Sequence, residues 1–384
     1  MARNIRSRQA KGASHVGERH DVTVGSIAHG GHCVARLADH GNRVVFVRHA
    51  LPGEEVVVEI TEGTEGARVW RGDAVEGRTP AAARVEAPCR DAGPGGCGGC
   101  DFQHVTVEGQ RALKAEVVRE QFARLAGREV DVSVEQVPGD DDGLAWRTRV
   151  EFALTEDGSV GMRRHRSRAV IPIDTCLIAR PDAIDTSRSG DLPVVEPVHG
   201  REFTVAADGF WQVHPGAPTT LVDTVLGMLD PQPGEKALDL YAGVGLFAAF
   251  LAERVGDSGR VVAIEGNRTG GGHARSNLAE FRRAEVAIGS VDRVLRDGND
   301  EPFDLVVLDP PREGARRKVV TQIVDRAPRA VAYVACDPAS LARDVATFTE
   351  LGYTMTELRS FDLFPMTHHV ECVALLTKTG SDLR

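Results

Sequence analysis

A short, uninterrupted apolar segment close to residue 330 constrains the fold of this chain more than any other feature. Residues 331–335 are all apolar and rich in β-branched side chains, which is typical of a strand buried on both faces of a parallel sheet. Asp337 and Pro338 then indicate the start of a helix. Cys336 lies between the two, where catalytic groups of open α/β sheets are found. It is therefore a candidate nucleophile, although a lone cysteine is more often a small buried core residue.

Strands and helices alternate from about residue 205 onward, and this pattern predicts a doubly wound α/β domain. Within it, residues 236–247 form a strand, a glycine turn that contains Gly243, and the start of a helix. The next strand ends at Glu265. Glycine lets a ligand approach the backbone, and a carboxylate after the second strand can bind two ribose hydroxyls. Asp239 precedes the first glycine and the third glycine of a dinucleotide fingerprint is missing, so the pattern favours S-adenosylmethionine over NAD.

The length and charge of the chain limit its class. Its 384 residues are too many for one compact core, so we expect two or three domains. The N-terminal segment is basic and lacks the apolar run of a signal peptide, and no stretch reaches membrane-spanning length. We therefore expect a cytoplasmic protein that does not contact a membrane. The net charge of -10 argues against general binding of polyanions, but a local basic surface could still hold nucleic acid.

Four further segments have distinct patterns. Residues 1–19 are predicted to form a flexible basic tail. Residues 20–77 contain short β-branched alternations separated by glycines, which predict a small antiparallel β-barrel. Residues 105–127 carry apolar side chains at helical spacing, which predicts an amphipathic helix that packs on another domain. Residues 163–168 hold four arginines and one histidine, which form either a phosphate-contacting surface or a solvated hairpin.

Cysteines are concentrated in one glycine-rich loop. Cys89, Cys97 and Cys100 fall within twelve residues, and the glycines between them allow a tight turn in which several thiolates can converge. The chain has seven cysteines, an odd number, and its N-terminal segment does not read as an export signal. Both observations favour metal or catalytic roles for the cysteines over disulfides. The best candidate for a fourth ligand is Cys176, because the other cysteines belong to other predicted features. The residues alone leave a [4Fe-4S] cluster and a zinc site both open.

Three C-terminal motifs carry a resemblance to a known family. They are Asp-Pro-Pro-Arg at 309–312, Tyr-Val-x-Cys-x-Pro-x-x-Leu-Ala-Arg-Asp at 333–344, and Phe-Pro-x-Thr-x-His-Val-Glu at 364–371. With these motifs the chain resembles, over nearly its whole length, the S-adenosylmethionine-dependent RNA (uracil-5-)-methyltransferases. Residues 28–36 and 44–54 also look like a TRAM domain, an OB-like RNA-binding module. Together with the four cysteines, they make the chain similar to the branch that modifies 23S rRNA.

The resemblance implies an architecture and a set of site residues. It implies an OB-like TRAM β-barrel at 20–77, a small central cluster-bearing α+β domain at 78–204, and a class I Rossmann-like methyltransferase domain at 205–384. In that family the four cysteines hold a [4Fe-4S] cluster. Four residues match positions of the cofactor pocket: Gln212, Tyr241, Glu265 and Asp309. Gly243, from the glycine turn described above, is the fifth predicted cofactor-binding residue. Cys336 matches the nucleophile and Glu371 the base.

The chemistry requires these residue types independently of the family. Uracil C5 is a poor nucleophile, and addition of a thiolate to C6 converts the ring into an enolate that can attack a methyl sulfonium. A carboxylate, here Glu371, must then remove the C5 proton so that the sulfur can leave. Because sulfur and the methyl donor approach opposite faces of the ring, the target uridine must be splayed out of its RNA stack. The expected partner is therefore RNA, which the resemblance narrows to 23S rRNA, and the expected enzyme is a monomer.

Other functions stay open at this point. Within the family, the substrate could be tRNA. An amino-group methyltransferase could use Asp309-Pro-Pro, but Arg312 replaces the aromatic residue on which that chemistry stacks its base. A non-catalytic RNA-binding protein with a zinc-stabilised fold is the third class, and the presence of Cys336 together with Glu371 argues against it.

Overall fold

The computed structural model describes residues 12–380, so the first eleven residues of the predicted basic tail lie outside the described residues. The chain divides into two compact units. The first contains the chain up to Leu113 together with Thr155–Ile173 and Met366–His368, and the second contains Lys114–Leu154, Asp174–Pro365 and the remainder from His369. Residues 78–204, predicted as a central domain, are thus shared between both units. No helix between residues 12 and 380 is long and apolar enough to cross a membrane.

The first unit is built on a curled six-stranded sheet with the order β1-β5-β6-β4-β3-β2. Its strands are β1 (Arg19–Thr23), β2 (Ile27–Ala28), β3 (His32–Leu37), β4 (Arg43–Arg48), β5 (Glu55–Glu62) and β6 (Val69–Thr79). Alternate side chains are buried, as Cys33, Ala35 and Leu37 show on β3, because successive residues of a strand point to opposite faces. Neighbouring strands pair antiparallel, as predicted, with the exception of β4 and β6. These two strands run parallel, and β5 pairs with the other edge of β6.

The described part of the predicted tail lies along this sheet. The backbone N–H of His15 donates to the Gly63 carbonyl at 3.1 Å, and that of Gly17 donates to the Ile60 carbonyl at 2.9 Å. A 3-10 turn, Ala38–His40, follows β3.

The middle of the chain contains one helix and several short strands. Helix α1 (Val107–Gln121) continues as a single π turn, Phe122–Ala126, which confirms the helix predicted for residues 105–127. From Lys114 onward it belongs to the second unit, and Ala115, Val118 and Phe122 enter the core of that unit. The strands that follow are β7 (Val134–Glu135), β8 (Arg147–Val150), β9 (Ala153–Leu154), β10 (Val160–Arg163), β11 (Val170–Pro172), β12 (Ala179–Asp185), β13 (Pro193–Val198) and β14 (Arg201–Ala206).

The second unit is centred on an eight-stranded sheet with the order β17-β16-β15-β18-β19-β21-β20-β7. Its helices are α2 (Ala217–Leu229), α3 (Leu246–Val255), α4 (Arg268–Asn277), α5 (Val291–Asp297), α6 (Arg316–Asp325) and α7 (Pro338–Glu350). Its remaining strands are β15 (Lys236–Leu240), β16 (Arg260–Glu265), β17 (Ala284–Ile288), β18 (Leu305–Leu308), β19 (Ala330–Ala335), β20 (Tyr353–Phe361) and β21 (Glu371–Lys378). Strand β21 is inserted antiparallel between β19 and β20. The sheet is doubly wound, as the alternation of strands and helices predicted.

Strand β19 is buried on both faces, as its sequence predicted. All six of its residues are buried. Val334 contributes to the hydrophobic core on one face of the sheet, and Tyr333 contributes to the core on the other. Strands β16 and β18 lie on opposite sides of β15, so the strand order reverses at β15. Such a reversal opens a crevice at the carboxyl ends of the strands, where open α/β sheets bind their ligands.

Candidate active site

A cavity of about 1200 Å³ lies in the second unit, at the carboxyl ends of β15, β16, β18 and β19. Seven side chains or turns predicted from the sequence as cofactor or catalytic positions line it: Gln212, Tyr241, Gly243, Glu265, Asp309, Cys336 and Glu371. They come from six different strands or loops, separated by up to 159 positions in the sequence. The parallel sheet brings them together because the carboxyl ends of its strands share one edge.

One side of the cavity is formed by the glycine turn after β15 and the end of β16. The Glu265 carboxylate accepts the backbone N–H of Gly243 at 2.7 Å and that of Asn267 at 2.6 Å. Gly243 has a φ of 55°, and a Cβ added there would meet nothing within 4 Å. The turn therefore leaves bare backbone facing the cavity, which allows close approach of a ligand. Burial raises the pKa of the neighbouring Tyr241 phenol to about 12.

Asp239 lies beneath this turn and does not line the cavity. One carboxylate oxygen accepts the Ala248 N–H at 2.8 Å in the first turn of α3. The other is buried without a hydrogen-bond partner among the described residues. Burial, and to a smaller extent the carboxylates of Asp309 and Glu265, raise the pKa of Asp239 to about 8. The bond to Ala248 connects the end of β15 to the first turn of α3, on either side of the glycine turn.

The opposite side of the cavity carries the predicted nucleophile. Cys336 follows the last residue of β19, and Asp337 caps α7 by accepting the Ser340 N–H at 2.7 Å. Across the antiparallel ladder Ala335 pairs with Cys372, so the next position brings Cys336 opposite Glu371. Burial is the main cause that raises the pKa of the Cys336 thiol to about 12, and the nearby carboxylates of Glu371 and Asp309 contribute less. At neutral pH this sulfur is therefore a thiol.

Glu371 and Asp309 form a pair of buried carboxyl groups beside that thiol. Burial first, and the Asp309 charge second, raise the pKa of Glu371 well above its ordinary value. Burial also raises the pKa of Asp309, whereas the amide of Gln212, which donates to Asp309 Oδ2 at 3.3 Å, opposes the shift. Glu371 Oε1 is buried and has no hydrogen-bond partner within residues 12–380. An unpaired carboxyl oxygen at a cavity wall is suited to contact a substrate.

The comparisons with known proteins agree with this site. Residues 13–75 match the TRAM domain family, and residues 294–379 match the family described as tRNA (Uracil-5-)-methyltransferase. An uncharacterized RNA methyltransferase of Streptomyces avermitilis is 46% identical, over 96% of this chain and all of its own length. The chain belongs to the RNA (uracil-5-)-methyltransferase family. The resemblance stated from the three C-terminal motifs is thereby confirmed.

Two more distant members extend the comparison. The 23S rRNA (uracil(1939)-C(5))-methyltransferase of Shewanella sp. strain ANA-3 is 29% identical over 90% of this chain and 93% of its own. The crystal structure of Pyrococcus abyssi tRNA (uracil-54, C5)-methyltransferase, in complex with S-adenosyl-L-homocysteine, superposes with a TM-score of 0.67 over 93% of this chain and 99% of that chain. At 22% identity it shows that the fold is shared. The predicted Rossmann-like methyltransferase fold with an N-terminal TRAM module is therefore confirmed.

Sequence reasoning missed a polar network that supports the nucleophile of this RNA uracil-5-methyltransferase. Asp344 Oδ2 on α7 accepts the Tyr333 hydroxyl at 2.7 Å, the Ala315 N–H at 2.8 Å and the Arg316 N–H at 3.1 Å. It thus ties the end of the loop that starts at Asp309 to the strand and helix on either side of Cys336. Both side chains stand in the 333–344 motif, but nothing in that motif indicates their contact with residues 315 and 316.

A second missed contact lies at the cavity rim. Arg312 Nη2 donates to His369 Nε2 at 3.1 Å, and both residues line the cavity. This bond connects the Asp-Pro-Pro-Arg loop to the segment that carries Glu371.

The cysteine loop belongs to the first unit. Cys100 is buried, and Cys89 and Cys97 are half-buried. The N–H of Gly99 donates to Cys97 Sγ at 3.3 Å, and Gln103 Nε2 donates to Cys100 Sγ at 3.4 Å. N–H donors to cysteine sulfur are found in iron–sulfur sites, so Cys97 and Cys100 are compatible with the predicted cluster, which stays a prediction. Cys176 is half-buried and belongs to the second unit, so its place as fourth ligand stays a prediction.

The arginine-rich segment forms the hairpin of β10 and β11 in the first unit. Arg163, Arg164 and Arg168 are exposed, whereas Arg166 pairs with Glu62 at 2.9 Å. The hairpin also contacts the cysteine loop of the same unit, because the Gly98 N–H donates to the Arg163 carbonyl at 3.0 Å. Its tip is a cationic surface.

Proposed function

We propose that this RNA uracil-5-methyltransferase modifies C5 of a uridine in 23S rRNA through a covalent bond between Cys336 and C6 of the base. The observation that carries the proposal is the register of β19 and β21, which brings Cys336 opposite Glu371 at one cavity wall. S-adenosylmethionine supplies an electrophilic methyl group when bound, and Gln212, Tyr241, Gly243, Glu265 and Asp309 are the residues that would hold it.

The two catalytic residues act in a fixed order. The sulfur of Cys336 forms a bond to C6, and the electrons of the C5–C6 double bond move onto the C4 carbonyl oxygen. After C5 is methylated, the Glu371 carboxylate takes the C5 proton, the double bond re-forms, and the sulfur leaves.

The electrostatics of the site support this assignment. A carboxyl group whose pKa is raised by burial becomes a stronger base once ionised, which suits removal of a weakly acidic C5 proton. Burial and the Glu371 and Asp309 carboxylates raise the pKa of the Cys336 thiol to about 12, so the thiol must give up its proton to solvent as the sulfur adds to C6.

The cysteine set and the RNA-binding surfaces complete the proposal. Cys89, Cys97, Cys100 and Cys176 would hold a [4Fe-4S] cluster with a structural role, because methyl transfer requires no electron. The TRAM domain and the exposed arginines of the β10–β11 hairpin support RNA binding. The 23S rRNA substrate is supported by the Shewanella relatives. Because one chain supplies both Cys336 and Glu371, we expect a monomer, active in the cytoplasm where rRNA is made.

The decisive experiment maps 5-methyluridine in rRNA and tRNA from cells with and without this gene. We expect one or more positions in 23S rRNA to lose the modification and to regain it with the wild-type gene but not with Cys336→Ala. Loss confined to tRNA would assign tRNA as the substrate. Unchanged 5-methyluridine in both RNA classes would contradict the proposed function.

A further inference from the structure

Three histidines and two carboxylates meet at one edge of the curled sheet. His15 and Glu18 precede β1, and His20 is its second residue. Asp39 and His40 lie in the 3-10 turn after β3. We call these five residues the histidine–carboxylate cluster. All of them belong to the first unit, and none lines the cavity described above.

The donor atoms of the cluster lie at distances that a metal ion would occupy. His40 Nε2 is 3.9 Å from Glu18 Oε2 and 3.8 Å from Asp39 Oδ2. His20 presents one ring nitrogen to Glu18 at 3.6 Å and the other to Asp39 at 3.5 Å. A tetrahedral zinc ion with ligands at about 2.0–2.1 Å holds its donor atoms about 3.3 Å apart. Shifts of roughly half an ångström would therefore complete a site around His40 Nε2.

Direct hydrogen bonding does not account for these contacts. Charge-assisted bonds between nitrogen and carboxylate oxygen are about 2.7–2.9 Å long. His15 Nδ1 contacts both carboxylate oxygens of Glu18, Oε1 at 2.9 Å and Oε2 at 3.0 Å. The four separations that involve His20 and His40 are longer, and His20 Nε2 is buried without a hydrogen-bond partner within the described chain. The ring nitrogens of His20 and His40 thus approach carboxylates without a direct hydrogen bond to them.

The imidazole rings are held in place by aromatic packing. Trp70 is buried, and its indole N–H donates to the Thr64 carbonyl at 2.9 Å. His15 stacks on the Trp70 ring at a centroid distance of 4.3 Å, and His40 lies 5.0 Å from the same ring. His20 packs edge-on against His40 at 5.1 Å. Rings that are fixed before the ion arrives lose little entropy when they bind it.

We propose that the histidine–carboxylate cluster binds one divalent transition-metal ion, with His15, Glu18 and His40 as ligands, because one donor atom from each of these three residues lies within 4.8 Å of the others. Imidazole and carboxylate donors without sulfur suit zinc and its neighbours in the first transition row, and they do not suit an iron–sulfur cluster. The site is distinct from the cysteine loop in both residues and donor chemistry. Glu18 and Asp39 are 44% and 66% exposed, which leaves the ion a path from solvent. Once bound, the ion would join residues 15–20 to the turn at 38–40.

Cobalt(II) is the best probe because its spectrum reports the donor atoms. The full chain, purified with its iron, is titrated with cobalt chloride. We expect one equivalent to bind with d–d bands and without a thiolate-to-metal charge-transfer band. His40→Gln should weaken this binding by about tenfold or more, since it removes the nitrogen that faces both carboxylates. Zinc sulfate should displace the cobalt and raise the melting temperature of the wild type but not of His40→Gln.

Two further variants keep the experiment decisive. His199→Gln is the matched control, because His199 also contacts a carboxylate, that of Asp223 at 2.8 Å, but lies outside the cluster. It should bind cobalt like the wild type. Glu18→Gln, at a carboxylate that is 44% exposed, replaces His40→Gln if the latter does not fold, and it should also weaken binding. Cobalt that gives only thiolate-type bands, or equal affinity in wild type, His40→Gln and Glu18→Gln, would overturn the proposal.

Discussion

Lys114 and Asp362 form an ion pair with a distance of 2.6 Å between Nζ and Oδ1, and neither side chain has any exposed surface. Lys114 Nζ also donates to the Phe364 carbonyl at 3.0 Å. The pair therefore joins helix α1 to the start of the 364–371 motif, seven residues before Glu371.

Removal of this lysine should be costly. Lys114→Met leaves the Asp362 charge buried without its partner, and loss of one member of a buried pair typically costs about 3–5 kcal/mol. Urea unfolding should show a correspondingly lower midpoint. The double variant Lys114→Met/Asp362→Leu should recover most of the loss, because no charge is then left buried. A single variant that unfolds like the wild type would show that the pair has no net effect on stability.

Variants of Cys336 and Glu371 should fail at different steps. Cys336→Ala should still bind S-adenosylmethionine but form no covalent bond to RNA and no product. Glu371→Gln should add to C6 and accept the methyl group, but the C5 proton then stays, so a methylated RNA–protein adduct should accumulate. Denaturing electrophoresis with methyl-labelled S-adenosylmethionine detects that adduct. Normal turnover without adduct in Glu371→Gln would mean that another group, such as His368 or His369, is the base.

The pH dependence of stability should report Asp239. Its pKa in the folded protein is about 8, above the value of about 3.9 for an unfolded chain. Its contribution is thus fully present below about pH 4 and is lost as the pH rises through about 8. Asp239→Asn should therefore gain melting temperature relative to the wild type at pH 8, and gain less at pH 5. The exposed Asp257→Asn is the control and should show no such trend. Equal differences at both pH values would exclude a raised pKa.

The arginine hairpin should contribute to RNA affinity through charge. Alanine at Arg163, Arg164 and Arg166 should weaken RNA binding and reduce its dependence on salt, with a change in the log–log slope of about two. Arg254→Ala, at an exposed position of α3, is the charge-matched control. Binding that is unchanged at several salt concentrations would leave the hairpin as a solvated face.

The identity of the metal at the cysteine loop can be determined directly. Protein purified without oxygen should be brown and contain iron and sulfide, and Cys97→Ser should lose iron and melt at a lower temperature. Cys336→Ala should retain its iron, because Cys336 lines the cavity and is not one of the four predicted ligands. If the wild-type protein contained zinc and no iron, the cysteine loop would hold a zinc site and the predicted iron–sulfur cluster would be wrong.

Features that depend on local sequence could be predicted, and those that depend on distant contacts could not. The apolar run of β19 and the glycine turn before α3 are local, and parallel-sheet geometry then placed Gly243, Glu265 and Cys336 at one edge. The two-residue strand β7 pairs with β20 more than 200 positions away, and nothing in Val134 or Glu135 indicates that partner. The histidine–carboxylate cluster was missed for the same reason, since it joins residues 15–20 to residues 39 and 40.

The hydrogen bonds to Asp344 have a consequence for how this protein can be recombined. The donors from the loop are the backbone N–H groups of Ala315 and Arg316, so a chimera that takes residues 309–316 from a relative without residues 333–344, or the reverse, keeps these bonds only if the loop backbone follows the same path to the buried Asp344. Fragment exchange within the family should therefore keep the whole segment from Asp309 to Asp344 from one parent. The loop that starts at Asp309 and the segment that carries Cys336 should therefore be exchanged together.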